Sequence, residues 1–241
     1  MNVIQFWSHW SWPLATALIG TVFTALLVRQ YIIRRGPHQL AWAVGFFFYA
    51  AAAYMESYSE FVGGWDHTVY RIYIVMAASL VGFLGLGVLY LILRRAIWSR
   101  IYLIYLVGAT TVFLIGTFTN PLVEENLVAG ITVGGKGLGP SGTFPRIMSL
   151  FINIPGSLFL LGGAVYSIIR FAAKEKYRYR AWANVLIAAG TVVIAAAGSR
   201  ARAGQTAGLY PAEMIGAALL LWGFLKASTL DRAAKNASPH E

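Results

Sequence analysis

Seven long apolar segments follow one another along the chain, and they constrain its fold more than any other feature. Each is about 20 residues or longer, the length that an α-helix needs to cross a hydrocarbon core about 30 Å thick. The predicted spans are 12–33, 39–60, 67–93, 98–119, 144–170, 180–200 and 208–229. The sequence therefore predicts an all-α integral membrane protein, with residues 1–241 forming one transmembrane domain of seven helices.

Composition supports this prediction and narrows the classes of function. Of the 241 residues, 58% are hydrophobic and 12% are charged, and the mean hydropathy is +0.64. A soluble domain has about a quarter charged residues, so most of this surface must face lipid, and the bilayer is the first expected partner. The chain has no cysteine, which excludes disulfides, thiol catalysis and thiolate metal sites.

The basic residues predict how the chain is oriented in the membrane, because loops rich in Lys and Arg face the cytoplasm. We predict a multi-pass plasma-membrane protein with its N-terminus outside and its C-terminus inside. The high pI then reflects topology, so no nucleic-acid partner is expected. One set of loops carries 14 of the 19 basic residues: Arg29, Arg34, Arg35, Arg94, Arg95, Arg100, Arg170, Lys174, Lys176, Arg178, Arg180, Lys226, Arg232 and Lys235. The other set carries six of the nine acidic residues: Glu56, Glu60, Asp66, Glu124, Glu125 and Glu213.

Short matches at a nearly constant offset indicate an internal repeat. They predict two parallel three-helix halves, 12–93 and 144–230, joined by helix 98–119 in a 3+1+3 arrangement. The alternative is chance similarity between helices of biased composition. The matching pairs are Pro13 and Gly20 with Pro155 and Gly162, Ala41-Trp42-Ala43 with Ala181-Trp182-Ala183, and Val81-Gly82-Phe83-Leu84 with Trp222-Gly223-Phe224-Leu225.

Ionisable side chains within the predicted spans are the first candidates for a site, because charges are costly in lipid. Glu56, Arg71 and Glu213 fall at similar depths near the outer ends of helices 2, 3 and 7, where they predict a buried charge network. Tyr49 shares the face of Glu56, seven residues before it, and Tyr70 precedes Arg71. Such a network would bind a small-molecule ligand from the outer side. The alternatives are a purely structural role in packing, or three side chains that extend separately to the interface.

Asn153 is the other candidate. It lies in helix 5 beside Pro155, and a proline inside a helix frees the carbonyl four residues earlier, here that of Phe151. Irregular backbone at this depth is tolerated against protein or a water-filled cavity. A kink that serves packing alone is the alternative. The ligand-binding candidates are thus Glu56, Arg71, Asn153, Glu213, Tyr49 and Tyr70.

The loops and the remaining motifs add no further chemistry. The external loop 120–143 is glycine-rich, and we expect it either to be mobile or to form a lid. Its segment 130–137 nearly matches a Walker A loop but lacks the Ser or Thr that binds magnesium. The four histidines lack metal-ligand spacing, and Lys226 lies too near the cytoplasmic end to be a retinal lysine. We predict no metal, no cofactor, no catalytic residue and no enzymatic activity.

Five short segments carry a resemblance to known proteins: 50–56, 64–65, 70–73, 84–87 and 153–156. They resemble segments of small prokaryotic seven-helix membrane proteins of unassigned function. The resemblance implies a fold and no activity.

The residues themselves favour small-molecule transport, with the substrate entering an outer crevice between the two halves. One alternative is a ligand-sensing, receptor-like module that signals through a partner. Another is a scaffold subunit of a membrane complex. A scaffold needs a membrane-protein partner, for which Gly82, Gly85 and Gly87 in helix 3 offer a face for close packing.

Overall fold

The described residues form seven α-helices and no β-strand, which confirms the predicted all-helical fold. A computed structural model describes residues 3–93, 95–128, 134–172, 178–202 and 208–236. The predicted basic loop at 173–177 and the centre of the glycine-rich loop at 129–133 lie outside them. The helices are α1 (Val3–Arg34), α2 (Pro37–Val62), α3 (His67–Ile92), α4 (Ala96–Thr119), α5 (Phe144–Ala172), α6 (Arg178–Arg202) and α7 (Leu209–Asn236).

Local sequence signals explain where the helices begin and end. Pro37 opens α2, where its missing N–H and fixed φ are compatible with a first turn. Gly63 ends α2 in the left-handed region, at a φ of 92°, a conformation that glycine adopts without strain. Asp66 caps α3, since its carboxylate accepts hydrogen bonds from the backbone N–H groups of Thr68 (2.8 Å) and Val69 (3.1 Å). These signals hold the tight corner between α2 and α3.

Several helices are long and apolar enough to cross a membrane, as in a multi-pass membrane protein. Glutamates and tyrosines lower the hydropathy of α2, and the apolar described part of α6 is short, Val185–Ala197. That all seven helices span the bilayer, and in which direction, stays a prediction. Five segments meet the criterion among the described residues: Trp10–Arg34, His67–Ile92, Ala96–Thr119, Phe144–Arg170 and Leu209–Lys226.

Six of the helices form a closed ring, in the order α1, α2, α3, α5, α6, α7 and back to α1. Helix α4 lies outside this ring and packs on α3 and α5. We call the "acidic end" the end of the ring where α2 finishes and where α3, α5 and α7 begin. The opposite end, where α2, α4 and α6 begin, is the "basic end".

Glycines let several helices approach closely. A Cβ added to Gly85 in α3 would lie 2.7 Å from the carbonyl oxygen of Gly156 in α5. Gly82 faces Leu106 and Ile152, and the nearest side chain to Gly87 is Trp42. The glycines of α3 therefore pack inside the chain, and they give no support to an external scaffold surface.

Candidate functional site

Buried glutamates and tyrosines meet inside the ring at the acidic end. The hydroxyl of Tyr73 donates to Glu56 Oε1 at 2.6 Å, and that of Tyr210 donates to Glu60 Oε1 at 2.7 Å. The hydroxyl of Tyr49 donates to the backbone oxygen of Glu213 at 2.9 Å. We call this set the carboxyl–tyrosine cluster; its members are Tyr49, Glu56, Glu60, Tyr73, Tyr210 and Glu213.

The cluster crosses the interior of the ring. Its members come from α2, α3 and α7, yet α7 is separated from α2 by α1, and from α3 by two helices on either side. Side chains of these helices can meet only across the space that the ring encloses. Glu56 and Glu60 are 5% and 7% exposed, which is unusual for carboxyl groups and marks them as buried inside the bundle.

Glu56 and Glu213 face the same part of the interior, because Tyr49, on the face of α2 that carries Glu56, donates to the backbone oxygen of Glu213. Among the described residues, no Lys or Arg forms an ion pair with either of them. Glu56 has the hydroxyl of Tyr73 as its hydrogen-bond donor, and a hydroxyl brings no charge. Burying a carboxylate without a cation is costly, so the surroundings of Glu56 favour the binding of a proton or a cation.

Arg71 is not part of the cluster, and the predicted network of Glu56, Arg71 and Glu213 does not form. The Arg71 guanidinium donates to the backbone oxygen of Thr117 in α4, and lies 5.8 Å from the ring centroid of Phe118. Positions 71 and 73 point about 200° apart on a helix with 3.6 residues per turn. Since Tyr73 faces the cluster, Arg71 must face α4.

Tyr70 anchors the described parts of the external loop. Its side chain is fully buried, and its hydroxyl donates to the backbone oxygen of Gly134 at 2.7 Å. The backbone N–H of Trp65 donates to the oxygen of Leu127 at 3.0 Å, and Leu138 is 1% exposed. The described parts of this loop are therefore packed against the start of α3, and its role as a lid over the outer face stays a prediction.

Asn153 lies away from the cluster, in a helix that continues through Pro155. Its Nδ2 donates to the backbone oxygen of Ser149, one turn earlier in α5, at 2.8 Å. The carbonyl of Phe151, which Pro155 frees, accepts a hydrogen bond of 2.7 Å from the hydroxyl of Tyr105 in α4. The carbonyl group that Pro155 leaves without a helical donor is thus hydrogen-bonded by Tyr105, and this part of α5 does not line the cluster.

A cavity of about 100 Å³ occupies the ring towards the basic end. All six ring helices contribute to its lining, which includes Phe23, Trp42, Phe46 and Phe224. Its connection to the cluster is through aromatic rings, since Phe46 packs edge-on against Tyr49 with centroids 6.4 Å apart. The sequence predicted an outer crevice and gave no sign of a cavity at this end.

Metal-binding chemistry finds little support in the described part of the chain. No group of three His, Cys, Asp or Glu side chains there could hold a metal ion. His67 forms a pair with Glu124 at 2.9 Å, with both side chains more than half exposed. Asp66, its neighbour, is used as the cap of α3.

Three cluster members were not among the predicted ligand-binding candidates: Glu60, Tyr73 and Tyr210. Glu60 lies one turn from Glu56 on the same face of the helix, so its spacing supports including it. The position of Tyr73 depends on the rotation of α3, which is apolar nearly all round, and nothing in the sequence sets it. Comparison of the chain with protein-family models, curated proteins and solved structures gives no match.

Proposed function

We propose that this protein is a transporter of a small molecule, spanning the plasma membrane seven times with the acidic end outside. The observation that supports transport is the meeting of buried Glu56 with Glu213 inside the ring, where no described Lys or Arg forms an ion pair with either. Ionisable groups buried between membrane helices mark proton relays and substrate pathways. A structural role alone would be served better by apolar side chains of similar volume.

The pair offers a means of coupling. When it holds a proton or an external cation, the buried site is neutral; when that ion leaves, the site is unstable and favours a different packing of the ring. The groups that face the pair are the hydroxyls of Tyr49, Tyr73 and Tyr210 and the carboxyl of Glu60, which supply no positive charge.

The order of helices around the ring supports the predicted repeat. Helix α3 of the first half contacts α5, the first helix of the second, and α7 in turn contacts α1. Two parallel three-helix repeats related by a two-fold axis would meet in this way. The halves differ in detail, because Trp42 lines the cavity, whereas its counterpart Trp182 is 61% exposed.

The exposed surface of α2 supports its crossing of the bilayer. Its carboxyl groups face inwards, while its outward-facing side chains are apolar or aromatic and suit contact with lipid. These exposed residues are Leu40, Phe47, Tyr54, Tyr58, Phe61 and Val62.

Transport is tested by solute uptake into proteoliposomes. The probes are radiolabelled benzenesulfonate, benzyltrimethylammonium and glucose, which barely cross lipid unaided. We expect saturable uptake of at least one probe that depends on an imposed pH or sodium gradient. Glu56→Gln and Glu213→Gln should each reduce that uptake by about tenfold or more, whereas Tyr58→Phe, on the lipid-facing side of α2, should not.

Other outcomes of this experiment would replace the proposal. Saturable binding without uptake would identify a sensor. Uptake of no probe, together with co-purification of a second membrane protein at fixed stoichiometry, would identify a scaffold subunit. Uptake that is equal in the wild type and in both glutamine variants would remove the carboxyl pair from the mechanism.

The orientation has its own test, because the natural chain contains no cysteine. Single cysteines are introduced at two exposed positions, Ser141→Cys near the acidic end and Arg95→Cys at the basic end. In intact cells, a membrane-impermeant maleimide should label the first alone, and permeabilised cells should show both. The reverse pattern would invert the proposed topology.

A further inference from the structure

We propose that the cavity binds the ring of a small aromatic carboxylate, with the carboxylate group facing the basic end of the bundle. This adds a ligand class to the proposed transport function. It is argued from the cavity alone, and binding is measured without flux.

The lining of the cavity selects an apolar ligand. Among the described residues, none that lines it carries a charge. The N–H of Trp42 already donates to the backbone oxygen of Leu84 at 3.1 Å, and the hydroxyl of Thr191 to that of Ile187 at 2.9 Å. Their hydrogen-bonding capacity as donors is therefore used within the protein, and the surface offered to a ligand is hydrocarbon and aromatic.

The size of the cavity favours one aromatic ring over a long chain. Its volume is about 100 Å³, and an enclosed apolar cavity of about 150 Å³ is known to bind benzene. A ring projecting slightly from the mouth fits this space, whereas a chain of ten carbon atoms is too large for it. A lipid acyl chain is thus disfavoured by volume.

The walls suit a flat ring. Phe23 lies between Phe46 and Phe224, with ring centroids 3.8 Å and 4.8 Å away. Trp42 presents a further aromatic surface. Aromatic rings attract one another in offset or edge-on arrangements, beyond the gain from buried area. Four aromatic side chains around one small cavity therefore favour an aromatic ligand over an aliphatic one of the same volume.

The opening of the cavity determines where the polar group of the ligand lies and which charge it carries. Leu91 lines the cavity yet is 55% exposed, so the opening lies beside the end of α3, at the basic end. Ser167 also lines it, and a serine hydroxyl can donate a hydrogen bond to a carboxylate. The basic end around this opening carries arginines on three helices: Arg34 in the last turn of α1, Arg95 directly before α4 and Arg170 in the last turn of α5. A carboxylate here meets a hydroxyl and a positive field.

Binding is tested by fluorescence quenching on the purified full-length protein in detergent micelles. The probe is 4-bromobenzoate, whose bromine quenches an indole that it contacts. We expect saturable quenching that is lost in Trp42→Phe. Filling the cavity with Ala164→Leu should weaken the affinity by about tenfold or more, while the neighbouring Gly162→Leu, where no described atom lies within 4 Å of an added Cβ, should leave it unchanged.

Three further measurements make the chemistry specific. 4-Bromobenzylamine, of nearly the same shape but cationic, should bind about tenfold more weakly or worse, and decanoate should compete poorly with 4-bromobenzoate. Phe224→Ala enlarges the cavity and should improve the binding of 2-naphthoate relative to benzoate, which keeps the inference testable if Ala164→Leu does not fold.

The inference is overturned if quenching does not saturate, or is the same in wild type and Ala164→Leu. It is also overturned if the amine binds as tightly as the acid, or if decanoate displaces the probe as well as benzoate does. Binding of 4-bromobenzoate without uptake of any solute would support the binding site and contradict the transport proposal. Uptake without binding at the cavity would support transport and contradict the binding site.

Discussion

Replacing Gly156 by alanine should destabilise the protein, because Gly156 lies where α5 crosses α3 with the two backbones in contact. The added Cβ would lie 2.7 Å from the backbone oxygen of Val81 and 2.8 Å from the Cα of Gly82, at least 0.6 Å inside an ordinary contact of 3.4 Å. Backbone atoms cannot rotate away, so the helices must separate. Overpacking of this kind costs about 1–3 kcal/mol, which for a chain of this length lowers the Tm by roughly 2–12 °C.

Gly162 provides a matched control on the same helix. No described atom lies within 4 Å of a Cβ added there. Alanine is a better helix former than glycine by up to about 1 kcal/mol, so Gly162→Ala should leave the Tm unchanged or raise it. The two substitutions are chemically identical and are expected to act in opposite directions.

The assay is heating of the purified protein in detergent while tryptophan emission is followed, since the chain has eight tryptophans and no cysteine for a thiol dye. A Gly156→Ala protein that melts with the wild type would refute the close α3–α5 contact. Equal losses of Tm in both variants would show that α5 responds to any added side chain.

Two further predictions concern single tyrosine hydroxyls. Tyr105→Phe removes the donor to the carbonyl of Phe151 and should lower the free energy of unfolding by about 1 kcal/mol, measured as a loss of Tm. The control is Tyr58→Phe, at a side chain of α2 that is more than half exposed, and it should leave the Tm unchanged. Tyr70→Phe removes the hydrogen bond to the backbone oxygen of Gly134, so amide hydrogen exchange in 134–143 should become faster while exchange in α4 stays the same. Unchanged exchange in the loop would show that the aromatic ring of Tyr70 holds the loop without its hydroxyl.

Helix positions could be predicted from the sequence almost completely, because the length of an apolar run and its flanking polar residues determine them. Each predicted span lies inside a described helix or extends beyond one end of it by a single residue. The pairing of Tyr49 with Glu56 on one face of α2 follows from helical spacing alone. The contact of Tyr49 with α7 does not, since it depends on how six helices close into a ring.

What the sequence could not predict is which way each helix is rotated. Helix α3 has apolar side chains on all sides, so its residues do not identify an inner face. The prediction therefore placed Arg71 towards the glutamates, and the structure places Tyr73 there instead. The bond from Tyr105 to Phe151 was hidden for the same reason. The proline indicated that a carbonyl needed a donor, but the donor lies on another helix.

The position of α7 in the ring has a consequence for biosynthesis. Helix α7, which is synthesised after the other six, supplies Glu213 and Tyr210 to the cluster and Phe224 to the cavity, and it closes the ring against α1. Until α7 is in place, the ring of helices is open. Glu60 then lacks its hydrogen bond from Tyr210, and Glu56 and Glu60 lack the helix that closes the interior around them. A nascent chain stopped before residue 208 should therefore remain accessible to membrane chaperones and proteases, and only a chain that includes α7 should acquire an enclosed interior.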